Sequence, residues 1–184
     1  MKQNFLDKVR IIEIMKSDPS LLKLSYRYVT AGYFDVSVVR EKESWKIEVT
    51  QKPLEQPLEK GFAGTLFEEH IQEPRAFAVV LNDEQVGWIE LGYEKWNNRM
   101  RVWDFLVKDE YRRKGIGTLL MSYAVKVAKE KGARMLVLET QSCNVAAISF
   151  YLKQGFNLVG LDSAAYSNTD IEKKEVRIEL GLTL

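Results

Sequence analysis

Arg101-Val102-Trp103-Asp104-Phe105-Leu106-Val107-Lys108-Asp109-Glu110-Tyr111-Arg112-Arg113-Lys114-Gly115-Ile116-Gly117-Thr118 changes character twice within eighteen residues. Its opening part is β-branched, aromatic and aliphatic, too short and too apolar for a surface helix, and reads as a buried strand. After Val107 the composition turns to charge. From Ile116 onward the apolar positions Ile116, Leu119, Leu120, Tyr123, Ala124 and Val127 recur at i, i+3, i+4 and i+7, as on one face of a helix packed against a sheet. The order is therefore strand, basic glycine loop, helix.

A helix start presents backbone N–H groups and partial positive charge, and glycines allow an anion to come close to that backbone. Arg112, Arg113 and Lys114 add full charges at the same place, a combination suited to a diphosphate. No Gly-Lys-Ser/Thr closes the loop, so it is not the phosphate loop of nucleotide hydrolases. Gly-x-Gly lacks the third glycine of the dinucleotide fingerprint. Arg112-Arg113-Lys114-Gly115-Ile116-Gly117 instead resembles the Arg/Gln-x-x-Gly-x-Gly/Ala signature of the GNAT superfamily of N-acetyltransferases. That resemblance implies acetyl-CoA as cosubstrate, with Arg112, Arg113, Lys114, Gly115, Ile116, Gly117 and Thr118 around its pyrophosphate.

The 184 residues, 46% hydrophobic and 29% charged, suit one globular domain, 1–184, with a motif-bearing core at about 76–160. Twenty-seven basic and twenty-six acidic residues nearly cancel, so net charge implies no nucleic-acid or membrane partner. Locally, Glu55 to Glu110 holds twelve acidic and six basic residues, whereas Tyr111 to Arg134 holds seven basic and only Glu130. An acidic face beside a basic loop suits a cationic substrate meeting an anionic cosubstrate, although charge runs are commonly just solvated surface. A single cysteine, Cys143, excludes an internal disulfide and fits a reducing compartment. No signal-like or membrane-length apolar run is present, so a cytoplasmic protein is expected. A homodimer is left open.

Along the chain, Val9 to Ile14 reads as a first strand and Ser17 as the cap of a short helix through Tyr28 carrying Leu21, Leu22, Leu24 and Tyr26. Phe34 to Val39 and Trp45 to Val49 pair around a charged turn. Pro53 and Pro57 then break regular structure, with Leu54 to Gly64 as a loop-rich linker. Ala76 to Leu81, Gln85 to Tyr93 and Met100 to Val107 form an antiparallel meander with turns at Asn82-Asp83-Glu84 and Asn97-Asn98. After the Gly115 to Lys131 helix, ended by Gly132, Met135 to Glu139 returns in parallel beside Phe105 to Val107 through a right-handed crossover. Asn144 to Gln154 is a second helix stopped by Gly155, and Phe156 to Leu161 and Glu175 to Leu182 are the last strands. The fold class is α/β with a mixed sheet, an antiparallel meander followed by a parallel strand-helix-strand step, which agrees with the GNAT layout.

Asn144, Ile148 and Tyr151 share one helix face. Taken alone, Tyr151 reads as a half-buried aromatic beside Phe150. Asn144 to Phe156, however, resembles the second GNAT motif, which implies that Tyr151 approaches the CoA sulfur and Asn144 the pantetheine arm. The resemblance further implies that the pantetheine runs along the strand ending at Val107, with Phe105, Leu106 and Val107 acting through main chain. A Cys143 nucleophile lacks a nearby base in the sequence, and the lone His70 makes no metal site credible, so no metal is expected.

The nucleophile would be the substrate's own amine. With a pKa of about 10.4, freeing its lone pair at pH 7 costs roughly 4.6 kcal/mol, so a base is needed. Glu90 and Asp104, on adjacent strands, are the carboxylates best placed to act directly or through a water. Asp104 stands between Trp103 and Phe105, which demands a partner or an elevated pKa.

Gly32 to Val36, Lys52 to Glu55, Glu90-Leu91, Trp96 to Val102 and Asn144 to Tyr151 together resemble the streptothricin acetyltransferase branch of the superfamily. The resemblance implies acetyl transfer to an amine of a small cationic antibiotic of the streptothricin type, with Tyr33, Phe34, Trp88, Tyr93 and Trp96 as candidate lining. A protein or polyamine amine as acceptor, or a CoA-binding module without catalysis, are the alternatives.

Overall fold

A computed structural model describes residues 8–17 and 23–184. In chain order the elements are β1 (Val9–Ile14), β2 (Lys23–Glu41), β3 (Ser44–Thr65), β4 (Arg75–Leu81), β5 (Glu84–Glu94), β6 (Arg99–Val107), α1 (Ile116–Lys131), β7 (Met135–Gln141), α2 (Val145–Lys153), β8 (Asn157–Asp162), α3 (Asp170–Lys173) and β9 (Arg177–Thr183). They pack as two compact units. One holds the described residues up to Tyr26 together with Phe62–Leu138 and Leu182–Leu184; the other holds Arg27–Gly61 and Glu139–Gly181.

In the first unit the strand order is β1-β4-β5-β6, with the start of β7 beside β6. The expected meander is present, and β1 adds antiparallel to β4 from Val9↔Leu81 to Ile14↔Ala76. Asn82 and Asp83 both have positive φ, 49° and 64°, the backbone that a two-residue hairpin loop needs and that short polar side chains tolerate. Phe77, Val79, Ile89, Leu91, Leu136 and Leu138 are buried on the sheet, and α1 covers it with Ile116, Leu120, Met121, Ala124, Val127 and Ala128. Gly132, at φ 77°, closes α1 by donating to the Ala128 and Lys129 carbonyls.

The parallel return is real but displaced. β7 pairs with Arg99–Val102, from Arg99↔Met135 to Val102↔Leu138, and not beside Phe105 to Val107 as the sequence predicts. The crossover helix lands β7 against the first half of β6, leaving the second half to its ladder with β5.

Two further expectations are overturned. Of the helix expected from Ser17 to Tyr28, residues 18–22, with Leu21 and Leu22, lie outside the described residues, while Lys23 to Tyr28 is the start of β2. Leu24, Tyr26 and Tyr28 alternate with exposed neighbours, a period of two that outweighs the local helical spacing. Pro53 and Pro57 do not end the strand, and Leu54 to Gly64 is no linker, since β3 continues to Thr65. In the two-stranded β2-β3 sheet a strand has one ladder neighbour, so a proline can sit with its nitrogen turned away from the ladder.

In the second unit, β8 and β9 pair antiparallel from Asn157↔Gly181 to Asp162↔Arg177. The Phe34 N–H donates to the Ser142 carbonyl at 2.8 Å, and the Ser142 N–H to that of Val176 at 2.8 Å. Asn144 caps α2, its side chain accepting from the Ala147 N–H at 3.3 Å, and Gly155, at φ 91°, follows its end. Cys143, Ile148, Tyr151, Phe156, Val176, Ile178 and Leu180 are buried here. Among the described residues no helix is long and apolar enough to cross a membrane.

Candidate active site

Beyond Val107 a single 3-10 turn, Asp109–Tyr111, leads into Arg113 at φ 59° and Gly115 at φ 90° before α1 begins. The left-handed backbone at Gly115 makes glycine the fitting residue there. No side chain caps this helix start, and the first intrahelical bond runs from Leu119 N–H to the Gly115 carbonyl at 2.9 Å. The Ile116 and Gly117 amides precede that bond and carry the positive end of a sixteen-residue helix. Arg112 donates through Nε to the Val107 carbonyl at 3.1 Å and pairs with Asp109 at 2.8 Å, which ties the loop to the end of β6 and offsets part of its charge. Lys114 Nζ lies 5.2 Å from the Tyr111 ring centroid. Gly87 seats the helix, because a Cβ there would stand 3.1 Å from Ile116 Cγ2 and 3.2 Å from the Leu106 carbonyl oxygen.

In the same unit, Glu90 on β5 and Asp104 on β6 are directly opposed across the ladder, beside a bulge between Glu90 and Leu91. Glu90 is fully buried. Its Oε1 accepts the Phe67 N–H at 2.7 Å, while its Oε2, also buried, finds no donor among the described residues. Burial pushes the Glu90 carboxyl up to about 8; the Phe67 bond opposes this and the charge of Asp104 adds to it. Burial also raises the Asp104 carboxyl, against bonds from Tyr26 and Glu90 that favour its charged form. The Tyr26 hydroxyl donates to Asp104 Oδ1. Two facing carboxyls, both held toward their neutral forms by burial and leaving one orphan oxygen, fit a single shared proton. Glu68 presses on both with a like charge.

Tyr26, Glu68 and Gly64 are parts of this site that the sequence reading missed. Tyr26 fell in the stretch read as helix, and its ring stacks on Phe62, centroids 4.6 Å apart and planes 12° apart. Gly64 fell in the supposed linker; a Cβ there would stand 2.9 Å from Tyr26 Cε2 and 3.0 Å from Asp104 Oδ1. The alternation of Leu24, Tyr26 and Tyr28 was the signal available. Of the aromatics expected to line the site, only Trp88 joins Tyr26, at a cluster that includes Ile12, Leu106, Leu24 and Leu66. Tyr93 donates to Asn98 Oδ1 at 2.8 Å and Trp96 is 82% exposed on the turn after β5, while Tyr33 and Phe34 belong to the second unit.

The other two residues singled out in the sequence lie in that second unit. Tyr151 is buried on α2 between Phe150 and Phe156, ring centroids 5.4 and 5.9 Å away, and burial pushes its phenol well above the usual range, so it keeps its proton at neutral pH. Asn144 is the α2 cap. Cys143 is a buried free thiol that burial pushes up, 3.4 Å from the Tyr28 hydroxyl, which suits packing and not nucleophilic attack. In the first unit, His70 pairs with Glu68 at 3.3 Å and meets Trp103 edge-on at 4.8 Å.

Much of the acidic excess is engaged elsewhere. Glu73 bridges Lys95 and Lys131, both at 2.7 Å, Glu84 holds Lys108 at 2.5 Å, and Glu94 holds Arg101 at 2.6 Å. Composition therefore overstates the charge open to a cation, and Glu90, held toward its acid form by burial, adds little near neutral pH.

The model of the Acetyltransferase (GNAT) family matches residues 41–156. The streptothricin acetyltransferase of Streptomyces lavendulae is 33% identical over 153 residues, 79% of this chain and 79% of that protein. Streptothricin acetyltransferase A of Bacillus subtilis (strain 168) is 38% identical over 93 residues, 50% of this chain and 53% of that protein. Among solved structures, a nourseothricin acetyltransferase matches with a TM-score of 0.76 and 27% identity over 96% of this chain and 98% of its own. One from Bacillus anthracis str. Ames, described as a streptothricin acetyltransferase in complex with acetyl coenzyme A, matches with a TM-score of 0.75 and 27% identity over 96% and 97%.

The buried pair gives the fold a defined pH response. Because the folded protein holds the Glu90 proton more tightly than the unfolded chain, this group's contribution to stability is full below its ordinary value of 4.5 and is lost as pH rises through about 8. Glu90→Gln keeps the acceptor for Phe67 and supplies a permanent donor toward Asp104. Its melting temperature relative to wild type should rise by several °C between about pH 5 and about pH 9, at ~2–4 °C per kcal/mol for a chain of this size. Melting curves of the two proteins that stay parallel across that range would contradict the shared proton.

Proposed function

The chain belongs to the GNAT acetyltransferase family, and from that premise we propose that it transfers acetyl from acetyl-CoA to a primary amine of a small cationic acceptor, streptothricin, in a ternary complex. The observation that carries the cosubstrate is the uncapped start of α1, where the Ile116 and Gly117 amides meet the charges of Arg112, Arg113 and Lys114. These groups, with Gly115 and Thr118, hold the diphosphate; Phe105, Leu106 and Val107 contribute main chain and Asn144 its side chain to the pantetheine. Acetyl-CoA supplies an activated thioester, so no acyl carrier on the protein is required.

On the acceptor side, Glu68 and Asp104 attract the cation. Asp104, holding the negative charge of its pair, takes the proton that the attacking amine must lose, while Glu90 keeps that charge in place. Tyr151, protonated in its buried setting, gives its proton to the departing thiolate; the support for this role is the Asn144 to Phe156 motif. Residues 1–184 serve as one acetyltransferase domain, a reading supported by matches that run over 96% of the chain. The identity over most of the chain to an enzyme of streptothricin favours that acceptor above a protein amine or a polyamine, and the carboxyl pair favours turnover above mere CoA binding.

Purified protein given acetyl-CoA and streptothricin should release free thiol well above background. Release with an N-terminal peptide amine and none with streptothricin would reassign the acceptor. For the loop, Gly117→Asp places a carboxylate among the anion-binding amides. Calorimetry should find acetyl-CoA binding lost in the folded variant, and unchanged affinity would rule the loop out. Tyr151→Phe keeps the packing and should lower kcat ~100-fold. A kcat within about twofold of wild type, with chemistry rate-limiting, would remove the acid role.

A further inference from the structure

Asp104 is faced from three other segments: by Glu90 on β5, by Tyr26 on β2 and by Glu68 after β3. Of these, Glu68 disfavours its charge as a like charge, whereas the Glu90 carboxyl and the Tyr26 hydroxyl favour it. Among the described residues the Tyr26 hydroxyl brings it a donor that is not itself a carboxyl. The phenol is delivered by a strand that enters the unit, locked by stacking on Phe62 and by packing in the cluster of Leu24 and Leu66. Room for the contact comes from Gly64, where any Cβ would press on both the Tyr26 ring and Asp104 Oδ1. An aromatic hydroxyl fixed on one carboxylate oxygen, with a glycine holding the gap open, makes the two carboxyls of the pair unequal.

We propose that Tyr26 is a positioning residue of the acyl transfer, whose hydroxyl on Asp104 Oδ1 assigns the pair's single proton to Glu90 and so keeps Asp104 as the base. This rests on the acetyltransferase reading above. In the step it serves, the neutral form of the amine reacts: its lone pair forms the bond to the acetyl carbon, the proton the nitrogen sheds passes to Asp104, and the thiolate departs with the electrons of the broken carbon–sulfur bond. Tyr26 transfers no proton. Its hydroxyl stabilises the carboxylate beforehand by a charge-assisted bond.

Tyr26→Phe retains the stack on Phe62 and removes only the hydroxyl. The ascending limb of the kcat–pH profile should move up by about one unit, a roughly tenfold loss below the limb that fades above it, with acetyl-CoA affinity unchanged. In an Asp104→Asn background the same substitution should have no such effect. A uniform loss at every pH, or an unmoved limb, would overturn the proposal, because a merely structural tyrosine would not shift a titration. Carboxyl 13C NMR of the protein without substrates separates this inference from the functional one. In Tyr26→Phe the pair should take up its second proton at higher pH than in wild type whether or not any amine is acetylated, and identical titrations would sink the assignment. If Tyr26→Phe does not fold, Gly64→Ala, which displaces the ring and leaves the hydroxyl in the chain, should move the titration in the same direction; no movement counts against it.

Discussion

Two carboxyl groups set opposite one another on neighbouring strands, one of them wholly out of water, cannot both be ionised at ordinary cost. Much of the first unit answers that constraint. The Phe67 amide is aimed at one oxygen of Glu90, the bulge beside Glu90 offsets the β5–β6 ladder at that level, and β2 brings in a phenol for Asp104. A hydrophobic pair at these two positions would pack with fewer demands, since buried ionisable groups are weak sources of stability. Their presence is intelligible if the site needs a poorly solvated base, as proposed above.

β6 also links the carboxyl pair to the glycine loop. The strand carries Asp104 at its middle and ends at Val107, whose carbonyl is bonded by Arg112, the first cation of the glycine loop. A single strand thus fixes the spacing between Asp104 and the start of α1. The helix in turn is held at the right height by the bare backbone of Gly87.

The parts of this arrangement legible in the sequence are those where local chemistry and periodicity agree. The apolar run before Val107, the charge run after it and the 3.6 period from Ile116 all fix the same boundary, and Asn82-Asp83 can hardly be other than a turn. What was illegible depended on partners distant in the chain. Leu21, Leu22 and Leu24 suggest a helix unless one knows that Leu24 and Tyr26 face a cluster reached from Leu66 and Phe67. Pro53 and Pro57 suggest a break unless one knows that β3 has a ladder on one side. The β7 register was misjudged because crossover length does not say where along β6 the returning strand lands. Charge counting was the weakest guide, since Glu73, Glu84 and Glu94 are each engaged by basic partners that composition cannot assign.

The β2–β3 ribbon, 19 and 22 residues long, exposes Val29, Val39, Trp45, Ile47 and Phe62. Extended strands with such residues are templates on which another chain can add, the usual route to fibrils and insoluble aggregates. Pro53 and Pro57 have no N–H to add to any ladder, and Lys46, Glu48, Lys52, Glu55, Glu59 and Lys60 space charges along the same strand. The two prolines that look like breaks in the sequence thus leave the hairpin intact while, with the charges, making the long ribbon a poorer template for a foreign strand than its length alone would suggest.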